Sequence, residues 1–203
     1  MGIYSLKPAF QKSLMGTRDA LVGAGVGPDA ITYAALFFSL LGGGALAISP
    51  DFRGALLTVP VFAIGRTALN ALDGMVAKAT GVARPFGEML NEFLDRIADA
   101  VWFAGLALAI DPVLMLATLA GVLVSSYLGT AVKAAGGPRI YSGVMGKADR
   151  MIVLSVGAVV AFVAGLQILR YTAILIAVGV AVTIVQRFLR GLHALRDKDS
   201  GAQ

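Results

Sequence analysis

Cysteine is absent from the 203 residues, so the chain has no disulfide framework, no thiolate nucleophile and no thiolate metal site. Histidine occurs once, as His193 in a basic C-terminal stretch, which excludes a multi-histidine metal centre. A metal bound here must be held by oxygen, and oxygen ligands point to magnesium, manganese or calcium. Charge is scarce as well. Asp, Glu, Lys and Arg make up 14% of the chain and apolar residues 58%, whereas soluble domains have about a quarter and about half. With a mean hydropathy of +0.82, the chain falls in the membrane class.

Spanning helices need about 20 mostly apolar residues. Stretches of that kind lie at 30–50, 112–132, 151–169 and 171–186. Two more carry charge: 54–77 holds Arg66 and Asp73, and 86–110 holds Glu88, Glu92, Asp95, Arg96 and Asp99. We therefore expect an all-α integral membrane protein with six transmembrane helices. The expected layout is a single membrane domain over 1–203, with an interfacial helix at 1–25, the six-helix bundle at 26–190 and a cytoplasmic tail at 191–203. The first residues lack the apolar core of a signal peptide. They fit an amphipathic helix on the membrane face, with Lys7, Lys12 and Arg18 toward the headgroups. With six spans and a cytoplasmic N-terminus, thirteen Lys and Arg residues fall on the cytoplasmic side and only Arg53 and Arg170 outside. That bias orients the chain with both termini in the cytoplasm. The expected location is the bacterial inner membrane. Pro28 is expected to start the first spanning helix, with Asp29 as a cap, and the glycines at 42–44 to mark close helix packing.

Residues 70–100 contain eight charged side chains between apolar flanks. Charge at membrane depth is costly and marks function. On a helix, residues three and four apart share a face. Asn70 and Asp73 do so, followed by the small Gly74 and Ala77; Gly87, Asn91, Asp95 and Asp99 form a second stripe. Joined by a short turn holding Pro85, the two helices are expected to bring their oxygen-rich faces together as antiparallel neighbours. Such a site suits a hard cation and the phosphates it binds, with one carboxylate left as a general base. The same spacing also allows internal ion pairs (Glu92 with Arg96, Arg96 with Asp99), a polar zipper of Arg66, Asn70 and Asp73, or a proton or ion relay.

Here the chain resembles the CDP-alcohol phosphotransferases, whose signature is D-x2-D-G-x2-A-R-x8-G-x3-D-x3-D. The chain has Asn70, Asp73, Gly74, Ala77, Lys78, Gly87, Asn91 and Asp95 at those spacings. Asparagine stands at the first and third acid positions, and lysine replaces the arginine. The segment 26–32, VGPDAIT, is similar to the family's entry to the first span, and 146–150, GKADR, to its basic element opening the fifth. The resemblance implies a Mg²⁺- or Mn²⁺-dependent homodimeric enzyme of phospholipid synthesis. It would move a phosphatidyl group from a CDP-linked lipid, CDP-diacylglycerol foremost, to an acceptor hydroxyl and release CMP. It further implies that Asp73, Asn70, Asn91 and Asp95 surround the metal, and that Asp95 is the base. Thr32, Asp73, Gly74, Ala77, Lys78 and Gly87 would contact the nucleotide.

Asparagine keeps an oxygen ligand but removes a negative charge. Glu88, Glu92 and Asp99 are therefore candidates to compensate, Asp99 as a further metal ligand one turn beyond Asp95. The alternative is a weak or inactive member that binds CDP-lipid as a sensor or partner. Lys133, Arg139, Lys147 and Arg150 are candidates for holding an anionic acceptor such as a sugar phosphate. Arg187, Arg190, Arg196 and Lys198 fit topology-setting charge better. Membrane lipids are expected partners, and nucleic acid is not.

Overall fold

The computed structural model describes residues 7–201. The first six residues of the expected interfacial helix lie outside them. All regular structure among the described residues is helical. Two short helices, α1 (Lys7–Ser13) and α2 (Met15–Gly23), precede six long ones: α3 (Pro28–Ala47), α4 (Val59–Ala79), α5 (Pro85–Ala109), α6 (Pro112–Ala134), α7 (Lys147–Ala164) and α8 (Gln167–Gly201). A 3₁₀ turn, Arg53–Thr58, leads into α4.

Proline marks several of the starts. Pro28, Pro85 and Pro112 each occupy the first helical position, where the missing N–H removes no helical hydrogen bond. Asp111 caps α6 by accepting from Val113 N and Leu114 N at 3.0 and 3.1 Å. Asp29 does not cap α3, because the residue before that helix is Gly27; Asp29 instead accepts from Arg84 Nη2 at 2.5 Å. Gly146 enters α7 in extended geometry, and its N–H donates to Asp149 Oδ2 at 3.0 Å. The stretch 191–203, expected as a tail, continues α8 to Gly201.

Four segments are long and apolar enough to cross a membrane: Pro28–Ala47, Arg53–Ala79, Pro112–Ala134 and Gln167–Arg196. The expected spans at 86–110 and 151–169 correspond to α5 and α7. Charged residues in their first turns and, in α5, along one face lower their apolarity. Spanning-length hydroxyl residues turn back on their own helix, as when Ser39 donates to the Ala35 carbonyl and Thr118 to Leu114. This satisfies their polar groups without water.

The main core joins α3 to α8 through Leu46, Val59, Trp102, Leu106, Met115, Leu154, Leu169 and Ile176. A smaller cluster of Ile31, Leu72 and Val76 takes in Leu21 and Val22 of α2 and so anchors the N-terminal helices near one end of the bundle. The α3–α5 seam is the tightest. A Cβ on Gly105 would run into the Gly43 carbonyl, and one on Gly42 would run into the Trp102 ring. Only backbone fits there, which matches small-residue packing in lipid. Nothing lies within 4 Å of a Cβ on Gly44, so two of the three consecutive glycines serve the contact.

Trp102 is the single tryptophan and is 1% exposed, so its fluorescence reports this seam. Gly105→Ala should lower the thermal midpoint by overpacking, at about 1–3 kcal/mol. Gly44→Ala should leave the midpoint unchanged or slightly raised.

Candidate functional site

The turn 80–84 joins α4 to α5, with Gly81 at φ 69°, a left-handed backbone that glycine adopts without strain. The two polar faces of α4 and α5 meet through side chains: Asn70 Nδ2 donates to Asp95 Oδ1 at 3.2 Å and Arg66 Nη2 to Asp99 Oδ1 at 2.9 Å. Helix α3 packs against both, and their backbones stand apart across a cavity of about 1280 Å³ that also takes in the start of α7. Long polar side chains bridge the gap.

Asn70, Asp73, Gly74, Ala77, Lys78, Gly87, Asn91, Asp95 and Thr32 all line this cavity. Asp73 is buried, and its Oδ2 lies 3.0 Å from Thr32 Oγ1. Its Oδ1 accepts from Gly74 N at 2.5 Å. Gly74 is exposed, and a Cβ there would meet nothing within 4 Å, so open space borders the Asp73 carboxylate. Asp95 sits opposite. Its Oδ1 accepts from Lys147 Nζ at 2.5 Å and from Asn70 Nδ2 at 3.2 Å. Among the described residues, its Oδ2 has only Arg96 Nη2, at 4.0 Å.

Asp99 lies on the same stripe as Asp95, but it does not line the cavity. It is wholly buried. Arg66 Nη2 reaches its Oδ1 at 2.9 Å, and Arg150 Nη2 and Arg96 Nη1 reach its Oδ2 at 3.2 and 3.3 Å. With both oxygens on guanidinium groups, Asp99 is removed from the expected metal set. Glu88 and Glu92 are engaged too. Lys133 Nζ lies 2.5 Å from Glu88, Arg139 pairs with Glu92, and Ser126 Oγ donates to Glu92 at 3.2 Å. None of the three candidate compensating acids is left for a cation.

Arg139, Lys147 and Arg150 line the cavity, and Lys133 does not. Arg139 also stacks over the Tyr141 ring at 4.8 Å. Burial works against its charge, but the hydrogen bond to Glu92 and the charges of Glu92, Tyr141 and Glu88 raise its pKa above the ordinary guanidinium value. Arg187 also lines the cavity. Its guanidinium donates to the carbonyls of Ser125, Tyr141 and Ser142 at 2.6, 2.9 and 3.1 Å, pinning the loop before α7. Sequence favoured a topological role for Arg187, because these carbonyl partners lie 45 to 62 residues away.

The donor set admits a hard cation. Asn91 Oδ1 is buried without a hydrogen-bond partner. Asp73 carries no ion pair to a basic side chain among the described residues. No group of three or more His, Cys, Asp or Glu gathers as a full cage among the described residues. Mg²⁺-type sites, however, use one or two carboxylates and complete their shell with substrate phosphates and water. Asp73 and Asn91 fit that pattern.

No protein-family model matches the chain. Among curated proteins, it is 32% identical over 202 residues to the phosphatidylinositol phosphate synthase of Mycobacteroides abscessus, covering 94% of this chain and 86% of that one. It is 34% identical over 155 residues to the inner membrane protein YnbA of Escherichia coli, covering 75% and 77%. Among solved structures, it resembles Mycobacterium tuberculosis phosphatidylinositol phosphate synthase in complex with manganese and citrate. That match has a TM-score of 0.72 and 26% identity, over 89% of this chain and 87% of the other. The same enzyme with CDP-DAG bound gives a TM-score of 0.71 and 27% identity, over 89% and 92%.

Asp99→Asn should destabilise the protein by about 3–5 kcal/mol, because it strips the counter-charge from buried arginines. Glu88→Gln, at an exposed pair, should cost about 0–1 kcal/mol. Denaturant melts followed by Trp102 fluorescence separate the two.

Proposed function

The chain belongs to the CDP-alcohol phosphotransferase family, and on that premise we propose that it transfers a phosphatidyl group from CDP-diacylglycerol to an acceptor hydroxyl, releasing CMP. The observation that carries this reading is the shared cavity, in which Asp73 with its open Gly74 border faces Asp95. The sequence relatives and the CDP-DAG-bound structural neighbour support it.

In this reading the donor's diphosphate lies along α4. Gly74 leaves room for it, and Lys78, which has no ion-pair partner among the described residues, meets a phosphate oxygen. Asp73 and Asn91 would hold Mg²⁺ or Mn²⁺, which supplies charge neutralisation on the diphosphate when bound. Lys147 and Asn70 hold Oδ1 of Asp95 and so aim Oδ2 into the cavity. That oxygen takes the proton of the acceptor hydroxyl. The hydroxyl oxygen forms a bond to the lipid-bearing phosphorus, the bond from that phosphorus to the bridging oxygen breaks, and CMP leaves with the bridging oxygen.

The acceptor we propose is a sugar phosphate or a similar anionic alcohol. Arg139, Arg150 and Arg187 converge on one side of the same cavity, and guanidinium groups suit phosphate oxygens. CDP-lipid binding without turnover is the weaker reading, since the base position and the nucleotide glycine are both present. We further propose that α5 and α7 cross the membrane with the four apolar segments, and that α1 and α2 lie at the interface. Both termini would be cytoplasmic, and two chains would pair as a homodimer.

Purified protein supplied with CDP-diacylglycerol, a sugar-phosphate acceptor panel and Mn²⁺ should release CMP. Asp95→Asn should cut the rate by about 10²–10⁴-fold, the usual span for a general base, and chelation of the metal should abolish it. Absence of CMP release with every acceptor, from folded protein, rejects the reading. Arg139→Gln should raise the acceptor KM by roughly tenfold, the cost of one charged hydrogen bond, with the donor KM unchanged. The cysteine-free background allows a topology test. A cysteine at Asp51 should label with impermeant maleimide from outside intact cells, and one at Ser13 should not.

A further inference from the structure

Resting on the transferase reading, we propose that each chain binds a single divalent ion, on the side of Asp73 and Asn91, and that Lys147 is a fixed cation against Asp95 where a second ion would otherwise be needed. The two asparagines then belong to one design with the lysine and are not losses from a cage.

The argument starts at positions 70 and 95. Asn70 Nδ2 lies 3.2 Å from Asp95 Oδ1. With an acid at position 70, two carboxylate oxygens would meet at about that distance. Like charges so close repel unless a proton or a cation stands between them. Asparagine turns the pair into a hydrogen bond, and the need for an ion between them disappears. The positive charge that Asp95 still requires comes from Lys147 Nζ, 2.5 Å from the same oxygen.

Lys147 is held in place by its surroundings. It is the first residue of α7, which begins at an extended Gly146 whose N–H is fixed on Asp149. Arg150, on the next turn, is locked to the buried Asp99. The ammonium group therefore stands on an anchored helix end. A second divalent ion would also enter beside Arg96, Arg150 and Arg66, whose guanidinium groups outnumber the one carboxylate they share.

The other side of the cavity has the opposite character. Among the described residues, Asp73 accepts only from a hydroxyl and a backbone N–H, and Asn91 Oδ1 accepts from nothing. These oxygens lack a cation. The acids of the cavity centre, Asp73 and Asp95, bring two negative charges, and Lys147 offsets one. One divalent ion together with an incoming diphosphate suits that balance. Lys147 is then a positioning residue for Asp95.

The test counts ions on the full chain in detergent micelles. Mn²⁺ is titrated in the presence of CDP-diacylglycerol, and free Mn²⁺ is read by electron paramagnetic resonance. The unaltered chain should bind one Mn²⁺ per chain. The double variant Asn70→Asp, Lys147→Met should bind a second. Two ions, or none, on the unaltered chain overturn the proposal, and so does a folded double variant that still binds one. CMP release on the same preparation separates this inference from the reading beneath it. Release with two ions rejects the ion count alone, and one ion without release rejects the transferase alone.

Discussion

One buried carboxylate organises the charged end of the bundle. Asp99 on α5 is wholly enclosed; it accepts from Arg66 on α4 and Arg150 on α7 and pairs with Arg96 on its own helix. A charge at that depth is unfavourable unless it is paired and hydrogen-bonded. The pairing ties α5 to α4 and α7, which themselves pack against each other. Arg66 also extends to the Asp95 carbonyl at 3.4 Å, so the same guanidinium braces the backbone that carries Asp95. The cavity keeps its shape because its floor is locked.

That floor also sets the electrostatics. Three guanidinium groups share one carboxylate, and Lys147, Arg139 and Arg187 line the walls. Replacing two expected acids by Asn70 and Asn91 moves the balance further toward positive. Such a site is suited to anions, in keeping with the diphosphate and phosphate-bearing acceptor we propose for it. The acids that remain divide their roles. Asp73 borders open space, Asp95 is aimed by two donors, and Asp99 is structural.

Much of this was legible in the sequence. Pro28 marked a helix start, and the spacing of Asn70, Asp73 and Gly74 against Asn91 and Asp95 located the two faces that line the cavity. What the spacing does not carry is depth. Asp95 and Asp99 are four apart and share a stripe, yet one turn along the axis, about 5.4 Å, separates a cavity wall from a sealed core. Nor does local pattern reveal that α3 packs against both α4 and α5, while those two meet through long-range side-chain pairs. Arg66 and Arg187 were hidden for a related reason. The first depends on Asp99, and the second on backbone carbonyls of a distant loop. Glu88 looked free on the helix alone and Glu92 paired only with Arg96, whereas Lys133 and Arg139, which also engage them, come from the end of α6 and the loop beyond it.

The central claim is group transfer, and product balance tests it most directly. Labelled CDP-diacylglycerol is incubated with the purified chain, Mn²⁺ and each acceptor of a panel, and both the water-soluble and lipid products are quantified. The account predicts a new acceptor-bearing phospholipid formed in equal amount to CMP, with one acceptor class strongly preferred. CMP formed without a matching lipid product, or a folded protein that yields neither with any acceptor, contradicts it.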